Sequence, residues 1–249
     1  MKFCVCIKQV PDVSAPIQIR GGELVMDAGR AVLNAYDASA VEEALVLTAA
    51  HGGEVDVLLI GPEKAAETVR KALAMGAARG THLVVADDAE LDSGAVSALL
   101  ARHLDGHAYD VIATGKQAQD TDAGLAGSML AERLGLPYAT NAVGLAAEDG
   151  TLVVTRQGDA GQEIIALPTP CLVTCSNDMN DPRIPNLKGI MAAKKKTIDT
   201  QPVADLPAAS VRVLRYEPVP SREPGQKLDG EPTEQAAAVV RKLHDASVL

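Results

Sequence analysis

The segment of this sequence best suited to bind a ligand is the polar, glycine-containing stretch at 115–127, GKQAQDTDAGLAG. It follows an apolar, strand-like run and leads into a helical pattern at 123–134. Backbone amides at the start of a helix attract phosphate, Gly124 and Gly127 permit close backbone approach, and Lys116 adds a positive charge. These residues indicate a site for a phosphate-bearing ligand, or else an ordinary connection in which small side chains serve packing.

Catalytic and metal-binding motifs of the common enzyme classes are missing from the sequence. There is no G-x-G-x-x-G after a strand, no Walker phosphate loop, no G-x-S-x-G and no H-E-x-x-H. His103 and His107 have the spacing of a metal-binding pair, but no third ligand is close in sequence, which favours a solvated surface. The remaining acid–base candidates are loop aspartates: Asp87 with Asp88, and Asp120 with Asp122. Nothing around them predicts desolvation, so we expect neither a catalytic residue nor a metal site.

Composition and charge exclude several classes of function. The 249 residues include 23 basic and 33 acidic side chains, a net charge of −10, which opposes binding to a nucleic-acid backbone. With one Phe, four Tyr and no Trp, the chain lacks the aromatic platforms that stack on bases or sugars. The hydrophobic residues occur in short runs, none of which approaches the ~20 residues of a membrane span.

The cysteines and the N-terminus predict the cellular compartment. Cys4, Cys6, Cys171 and Cys175 lie in apolar runs without a C-x-x-C motif, so we expect buried thiols rather than disulfides or zinc ligands. The apolar stretch within residues 1–10, MKFCVCIKQV, is too short and too soon interrupted for a signal peptide. A soluble, cytoplasmic protein is therefore expected.

Alternating strand and helix patterns predict a doubly wound α/β domain with a mostly parallel sheet. Apolar or β-rich runs predict strands at 2–9, 55–60, 81–86 and 109–115. Helical spacing predicts helices at 38–50, 62–77, 94–104 and 123–134, and Ser93 is expected to cap the third. Open sheets of this kind bind ligands at the carboxyl ends of their strands, where residues 34–37 would face the loop at 115–127.

The pattern changes after residue 139. Residues 140–157 predict a hairpin that turns at 148–150, and strands follow at 164–167 and 171–175, joined at an edge or turn that contains Pro168 and Pro170. From about residue 180 the chain is rich in proline and poor in apolar residues until an alanine-rich helix at 232–246. We therefore divide the chain into an α/β domain, 1–180, and a segment, 181–249, that is expected to wrap a partner protein.

Stretches that together span about residues 1–200 resemble the beta subunit of electron transfer flavoprotein. In chain order they are CVCIKQVPD (4–12), AVLNAYDASAVEEAL (31–45), ETVRKALAMGAARGTHLVV (67–85), DVIATGKQAQDTDAGLAG (110–127), VTRQGDAGQEIIALPTPCLVT (154–174) and DPRIPNLKGIMAAKKK (181–196). The resemblance implies a Rossmann-like fold of the adenine nucleotide alpha hydrolase type, with an added β-hairpin region and a C-terminal wrapping tail. It also implies one of two related α/β subunits of a heterodimer.

The function that the resemblance implies is electron transfer. In this family the alpha subunit holds most contacts to a redox-active FAD, and the beta subunit commonly buries an AMP without a redox role. Electrons come from acyl-CoA and related dehydrogenases, as in fatty acid oxidation, and pass to a quinone reductase or another acceptor. The beta subunit is then part of an electron carrier rather than a self-contained enzyme.

The same resemblance implies the site residues. AMP would contact Cys6, Asn34, Ala35, Tyr36, Asp37, Ile60, Gln119, Asp120, Thr121, Asp122, Ala123, Gly124, Leu125, Ala126 and Gly127. The dehydrogenase would dock on residues 185–196, with Leu187 as apolar anchor and with the attracting charges Lys194, Lys195 and Lys196. By itself, such a lysine run is usually a solvated face. Residues 124–126 read Gly-Leu-Ala where many members have Asn-Gln-Thr, so either backbone amides hold the phosphate or the ligand differs.

Three alternatives remain open. A second branch of the family binds a second FAD in this crevice and bifurcates electrons from NADH, and it usually shows Asn-Pro-Asp-Asp and Gly-Asp-Thr-Ala-Gln-Val-Gly. This chain has Asn-Ala-Tyr-Asp at 34–37 and Thr-Asp-Ala-Gly-Leu-Ala-Gly at 121–127, which favours AMP. A stand-alone adenine-nucleotide-binding module of the stress-protein type would need neither the stretch at 154–174 nor the tail. An ATP-hydrolysing or adenylating enzyme of this fold would need Ser-Gly-Gly where residues 9–11 read Gln-Val-Pro.

Overall fold

The computed structural model describes residues 1–16, 18–25, 30–222 and 224–249, and nine of its strands form one large sheet. The strands are β1 (Lys2–Ile7), β2 (Gln9–Pro11), β3 (Gln18–Arg20), β4 (Glu23–Val25), β5 (Ala31–Leu33), β6 (Glu54–Gly61), β7 (Arg79–Val84), β8 (Val111–Gly115), β9 (Tyr138–Glu148), β10 (Thr151–Gly158), β11 (Gly161–Pro168), β12 (Cys171–Cys175) and β13 (Ile198–Pro202). The large sheet has the order β11-β10-β9-β12-β8-β1-β6-β7-β13. Neighbours from β9 through to β13 are parallel, whereas β10 is antiparallel to β9 and β11. The sheet is therefore mostly parallel, as predicted.

Helices cover both faces of this sheet. Within residues 1–215 they are α1 (Ala35–His51), α2 (Ala66–Met75), α3 (Ser93–Leu104), α4 (Ala126–Leu134) and α5 (Leu187–Lys195). Later in the chain comes α6 (Pro232–Asp245). Side chains alternate along a strand, so Phe3 and Val5 of β1 join the core beneath α1 and α2, while Cys4 and Cys6 join the core beneath α3 and α4. The two cores confirm the doubly wound α/β fold. Among the described helices, none combines the length and hydrophobicity that crossing a bilayer requires.

The first strand and the first helix differ in their ends from the sequence prediction. β1 ends at Ile7 because the Lys8 amide donates to the side chain of Asp37, and the chain then turns into β2, which pairs with β5. α1 begins at Ala35, three residues earlier than predicted, so the predicted wall residues 35–37 form its first turn. The fold thereby places them directly beside the end of β1.

The third and fourth helices also start differently. Asp92, not Ser93, caps α3, because the Asp92 Oδ1 accepts the Ala95 amide at 2.8 Å and Ser93 is already helical. α4 begins at Ala126 rather than 123, since hydrogen bonds between residues 118, 122 and 123 close a turn just before it. The predicted ligand loop is therefore longer than the helical pattern suggested.

The predicted hairpin is confirmed, with β9 and β10 joined through Asp149 and Gly150. Residues beyond 180 begin with two elements that the sequence analysis did not predict. α5 packs against α2, and β13 adds to the sheet beside β7. The described chain forms two compact units, Met1–Arg215 and Tyr216–Leu249. The second contains α6, whose bounds agree with the predicted helix.

Candidate functional site

The crevice predicted to bind a ligand lies at the carboxyl ends of β1 and β8. From β1 the chain proceeds through β6 and β7 on one side, and returns to place β8 on the other side. Open α/β sheets bind ligands at such a reversal of strand order, because the connections on either side diverge and leave a crevice. The predicted residues at 34–37 and 119–127 follow β5 and β8, and they meet there.

Asp37 joins α1 to both central strands from inside the protein. Its Oδ2 accepts the Lys8 amide at 2.7 Å and its Oδ1 accepts the Gly115 amide at 2.9 Å. A Cβ at Gly115 would lie 2.3 Å from that Oδ1, so only glycine allows this contact. Burial raises the pKa of the Asp37 carboxyl to about 7, and the hydrogen bonds offset only part of this effect.

Asn34 and Gln119 fasten the ligand loop to the start of α1. The Asn34 Nδ2 donates to the Gln117 carbonyl at 3.0 Å, and its Oδ1 accepts the Gln119 amide at 3.2 Å. In return, the Gln119 Oε1 accepts the Ala35 amide at 3.1 Å. These two side chains thus hold the walls of the crevice together, and the Gln119 side chain satisfies a backbone amide of the first turn of α1.

The second half of the loop is open to solvent. Asp120 forms an ion pair with Lys8 at 2.8 Å, and Asp122 accepts a hydrogen bond from Gln117 at 2.6 Å. The exposed residues of the loop are Thr121, Asp122, Ala123, Gly124 and Leu125. The Leu125 side chain is apolar, yet 65 % of the residue's surface is exposed. Leu125, the N-cap residue of α4, makes no side-chain hydrogen bond to the amides of the first turn. This is the arrangement that binds anions at helix N-termini.

Gly127 lets α4 begin directly above the ends of two strands. A Cβ at this position would lie 2.7 Å from Thr114 Oγ1 and equally close to Thr174 Cγ2. Thr114 belongs to β8 and Thr174 to the neighbouring β12. Any larger residue at 127 would displace the helix, together with the amides that face the crevice.

Cys6 and Ile60, the two apolar residues predicted for the site, lie near the carboxyl ends of β1 and β6. Both pack against the core beneath α3 and α4, and Cys6 is buried while Ile60 is half-buried. A hydrogen bond with Cys4 and burial raise the pKa of the Cys6 thiol well above its ordinary value, so it is a packing surface and not a nucleophile. Tyr36 is half-buried and has the Lys116 ammonium 5.7 Å from its ring centroid.

A recess that the sequence analysis missed lies on the same edge of the sheet, where β6 and β7 end. Its volume is about 540 Å³, and it is lined by Pro62, Glu63, Lys64, Val84, Val85, Ala86 and Asp87. None of its lining residues is among those predicted for the ligand site. In the sequence, the one signal for this recess is the short connection that follows each of these strands.

The predicted docking residues lie away from the crevice, on and beside α5. Leu187 is the first residue of this helix, and 76 % of its surface is exposed. Ile184, just before the helix, is 92 % exposed. Lys194 and Lys195 are also exposed. Lys196 is different, because its ammonium donates to the Ala77 carbonyl at 2.5 Å.

In the described ranges no three His, Cys, Asp or Glu side chains are grouped to hold a metal ion. His103 and His107 stack on each other with ring centroids 5.1 Å apart, and Asp87 pairs with Lys64 at 3.3 Å. The described geometry brings the predicted loop residues together beside the start of α1 and leaves Leu187 exposed on α5.

Comparison with known proteins identifies the family. The sequence profile of the electron transfer flavoprotein domain matches residues 23–206. The chain belongs to the family of electron transfer flavoprotein beta subunits. It is 37 % identical over 256 residues to the electron transfer flavoprotein subunit beta of Bradyrhizobium diazoefficiens, with full coverage of both chains. It is 34 % identical over 234 residues to that of Syntrophomonas wolfei, covering 93 % of this chain and 91 % of the relative. It is 33 % identical over 262 residues to the Caffeyl-CoA reductase-Etf complex subunit CarD of Acetobacterium woodii, again with full coverage.

The sequence stretches that resemble the family lie on two different surfaces of the protein. The sequence stretches at 31–45 and 110–127 come together at the crevice, although they are far apart in the chain. The stretch at 181–196 forms the exposed surface around α5 instead. The structure thus separates the predicted ligand loop from the exposed residues around α5.

Proposed function

We propose that this chain is the beta subunit of a heterodimeric electron transfer flavoprotein and that its crevice binds AMP. FAD, held mainly by the alpha subunit, supplies the redox chemistry. Electrons pass from acyl-CoA-type dehydrogenases to a quinone reductase or another acceptor. The observation that carries the proposal is that Asn34 and Gln119 fasten the ligand loop over the carboxyl ends of β1 and β8 in a member of this family.

The residues present fit an adenine nucleotide. The backbone amides at the start of α4, brought close by Gly127, would hold a phosphate without needing the polar side chains that other members have at 124–126. Cys6 and Ile60 supply an apolar surface for the base. Asn34 and Asp37 keep the walls in place, and their side chains are already hydrogen-bonded within the protein.

Nucleotide analysis of the purified heterodimer tests this assignment. Denaturing the protein and separating the released compounds by chromatography should give one FAD and one AMP per heterodimer. A preparation that releases FAD alone, at one per heterodimer, contradicts an AMP site in the crevice.

A second FAD in the crevice, with electrons bifurcated from NADH, is the second candidate. It is favoured by the similarity to a protein named as a subunit of a caffeyl-CoA reductase–Etf complex, and by the exposure of residues 121–125, which leaves room for a larger ligand. The same chromatogram separates the two candidates. Two FAD and no AMP per heterodimer would place this chain in the bifurcating branch.

The resemblance to the family implies the partners, and the exposed surfaces support them. Leu187, with Lys194, Lys195 and Lys196 nearby, would dock the electron-donating dehydrogenase, and the segment 181–249 would pack on the alpha subunit. We place the protein in the cytoplasm, because Cys4, Cys6, Cys171 and Cys175 are all buried free thiols, as a reducing compartment favours.

A further inference from the structure

Two sequence stretches of the family meet at a place that the crevice does not use. Glu42, in the second turn of α1, accepts three hydrogen bonds from Arg183, which lies 141 residues further along the chain. The Arg183 backbone amide donates at 3.0 Å, its Nε at 2.7 Å and its Nη2 at 2.8 Å. Glu42 keeps only 8 % of its surface exposed. A bidentate guanidinium–carboxylate pair with an added backbone bond fixes both position and orientation.

A second attachment to α1 is made by Asn180, which bonds to Ser39 and Glu43 on either side of Glu42 in the chain. The Asn180 Nδ2 donates to the Glu43 Oε2 at 2.9 Å and to the Ser39 carbonyl at 3.1 Å. Residues 180–183 are therefore fastened to α1 at two points, immediately before the exposed apolar side chains begin.

A separate set of contacts fixes the far end of the segment on α2. The Arg70 Nη1 donates to the carbonyls of Ala193 at 2.6 Å and Lys196 at 2.5 Å. Gly189 lies so close to α2 that a Cβ there would be 2.6 Å from the Ala74 carbonyl oxygen. Only residues 184–188 lie between the two attachments, and they include Ile184 at 92 % and Leu187 at 76 % exposure.

These attachments help to keep the two large apolar side chains in water. A free loop would tend to turn Ile184 and Leu187 toward the protein, because burying apolar surface is favourable. A loop fixed in its binding conformation also loses less entropy when a partner binds. Arg183 holds the pKa of the Glu42 carboxyl below its ordinary value, so the pair stays ionised throughout the neutral range.

We propose that Glu42 is a positioning residue for dehydrogenase docking. Through its ion pair with Arg183, Glu42 holds residues 184–187 in the conformation that the dehydrogenase binds. This inference rests on the proposed function, in which Leu187 anchors that partner.

The test uses the assembled heterodimer and an acyl-CoA dehydrogenase, supplied with its acyl-CoA, that reduces the wild-type flavin. Initial rates against heterodimer concentration give KM and kcat for Glu42→Gln, Arg183→Lys, Leu187→Ala and the control Glu67→Gln, an exposed glutamate of α2. We expect Glu42→Gln and Arg183→Lys to raise KM about tenfold, with kcat and reduction by dithionite within twofold of wild type. The control Glu67→Gln should change neither KM nor kcat.

The outcomes separate this inference from the docking proposal. If Leu187→Ala raises KM and both pair variants leave it unchanged, the positioning role is wrong while Leu187 remains the anchor. If Leu187→Ala also leaves KM unchanged, the docking proposal fails and the inference with it. A fall in kcat or in dithionite reduction, or failure of both pair variants to assemble with the alpha subunit, would show that the pair serves the flavin or the fold instead.

Discussion

At the scale of single residues, Asp37 is the group whose protonation matters most to the crevice. The folded protein raises its pKa from 3.8 to about 7, because the carboxyl is buried. Between about pH 4 and pH 7 the folded state therefore binds more protons than the unfolded state. As pH rises through this window, the contribution of Asp37 to the free energy of unfolding falls by at most ~1.4 kcal/mol per pH unit. Above the window it is constant.

Asp37→Asn should remove that pH dependence and also cost a hydrogen bond. Asparagine has one acceptor oxygen, so its NH₂ group would face the amide of Lys8 or Gly115. At pH 5 we expect the free energy of unfolding of the variant to be ~1–3 kcal/mol lower than that of wild type. At pH 8 the difference should be smaller, because the wild type loses stability as Asp37 ionises. Urea unfolding of the heterodimer between pH 5 and pH 8 measures both slopes. Equal slopes for the two proteins would contradict the raised pKa.

Leu187→Ala should weaken docking without affecting the flavin. Leu187 presents most of its surface to solvent, and an apolar anchor truncated at the centre of an interface costs about 2 kcal/mol, or roughly thirtyfold in affinity. The apparent KM for the dehydrogenase should rise by this factor at every ionic strength, while chemical reduction stays normal. An unchanged KM would refute the docking assignment but leave the family assignment intact.

The three lysines should separate into two groups. Lys194 and Lys195 are exposed, so changing both to Gln should slow association with an acidic partner at low salt and have little effect at high salt. Lys196 donates to the Ala77 carbonyl, so Lys196→Gln should lower the thermal midpoint instead. Stopped-flow association against ionic strength, with thermal melting of each variant, tests the division. A Lys196→Gln variant that melts like wild type and alters only the salt dependence would contradict it.

At the scale of elements, the start of α4 depends on the missing side chain of Gly127. Gly127→Ala should push α4 away from β8 and β12, because its Cβ would lie 2.7 Å from Thr114 and Thr174 atoms. We expect a loss of ~1–3 kcal/mol in stability and a lower AMP content after purification. Gly144→Ala is the matched control, since its Cβ would meet Thr155 at an ordinary 3.6 Å. If both variants retain AMP equally, α4 does not hold the phosphate.

The elements that could be predicted from sequence are those whose signal is local. Strands such as β6 and β12 are buried on both faces, so their apolar runs are continuous, and the hairpin of β9 and β10 has a clear turn. β13 has no such signal, because it is an edge strand with mostly exposed side chains and depends on pairing with β7. α5 was missed because three of its apolar side chains, Leu187, Ile190 and Met191, are exposed.

The position of the candidate site could be predicted from the sequence, but the hydrogen bonds that assemble it could not. The polar loop after an apolar run located the crevice, since sheets of this kind bind ligands at their carboxyl ends. The hydrogen bonds that join the ligand loop and the end of β8 to the start of α1 link residues 78 to 85 apart, such as Asp37 with Gly115 and Ala35 with Gln119. No local pattern reports such pairs, so the mutual fastening of Asn34 and Gln119 needed the structure.

At the scale of the whole molecule, the extended region after β13 presents apolar side chains to solvent. Val211, Leu214 and Val219 are 70 %, 82 % and 89 % exposed. Exposed apolar surface of this kind marks an interaction region. If it packs on the alpha subunit, limited proteolysis of the beta chain alone should cut within 204–222, and the heterodimer should resist at these sites. Equal cleavage in both preparations would contradict the wrapping role.

The attachment of residues 180–183 to α1 also has a consequence for protein engineering. Exchanging the docking segment with that of another flavoprotein is an obvious way to redirect electrons to a chosen dehydrogenase. The segment is shaped by Glu42 and Glu43, which lie 137 to 141 residues earlier in the chain. A graft of 181–196 alone would replace Arg183 and sever its bonds to Glu42, so the transplantable unit is discontinuous and includes the second turn of α1. The same helix begins at the crevice, so a chimera that replaces all of α1 would alter nucleotide retention together with partner choice.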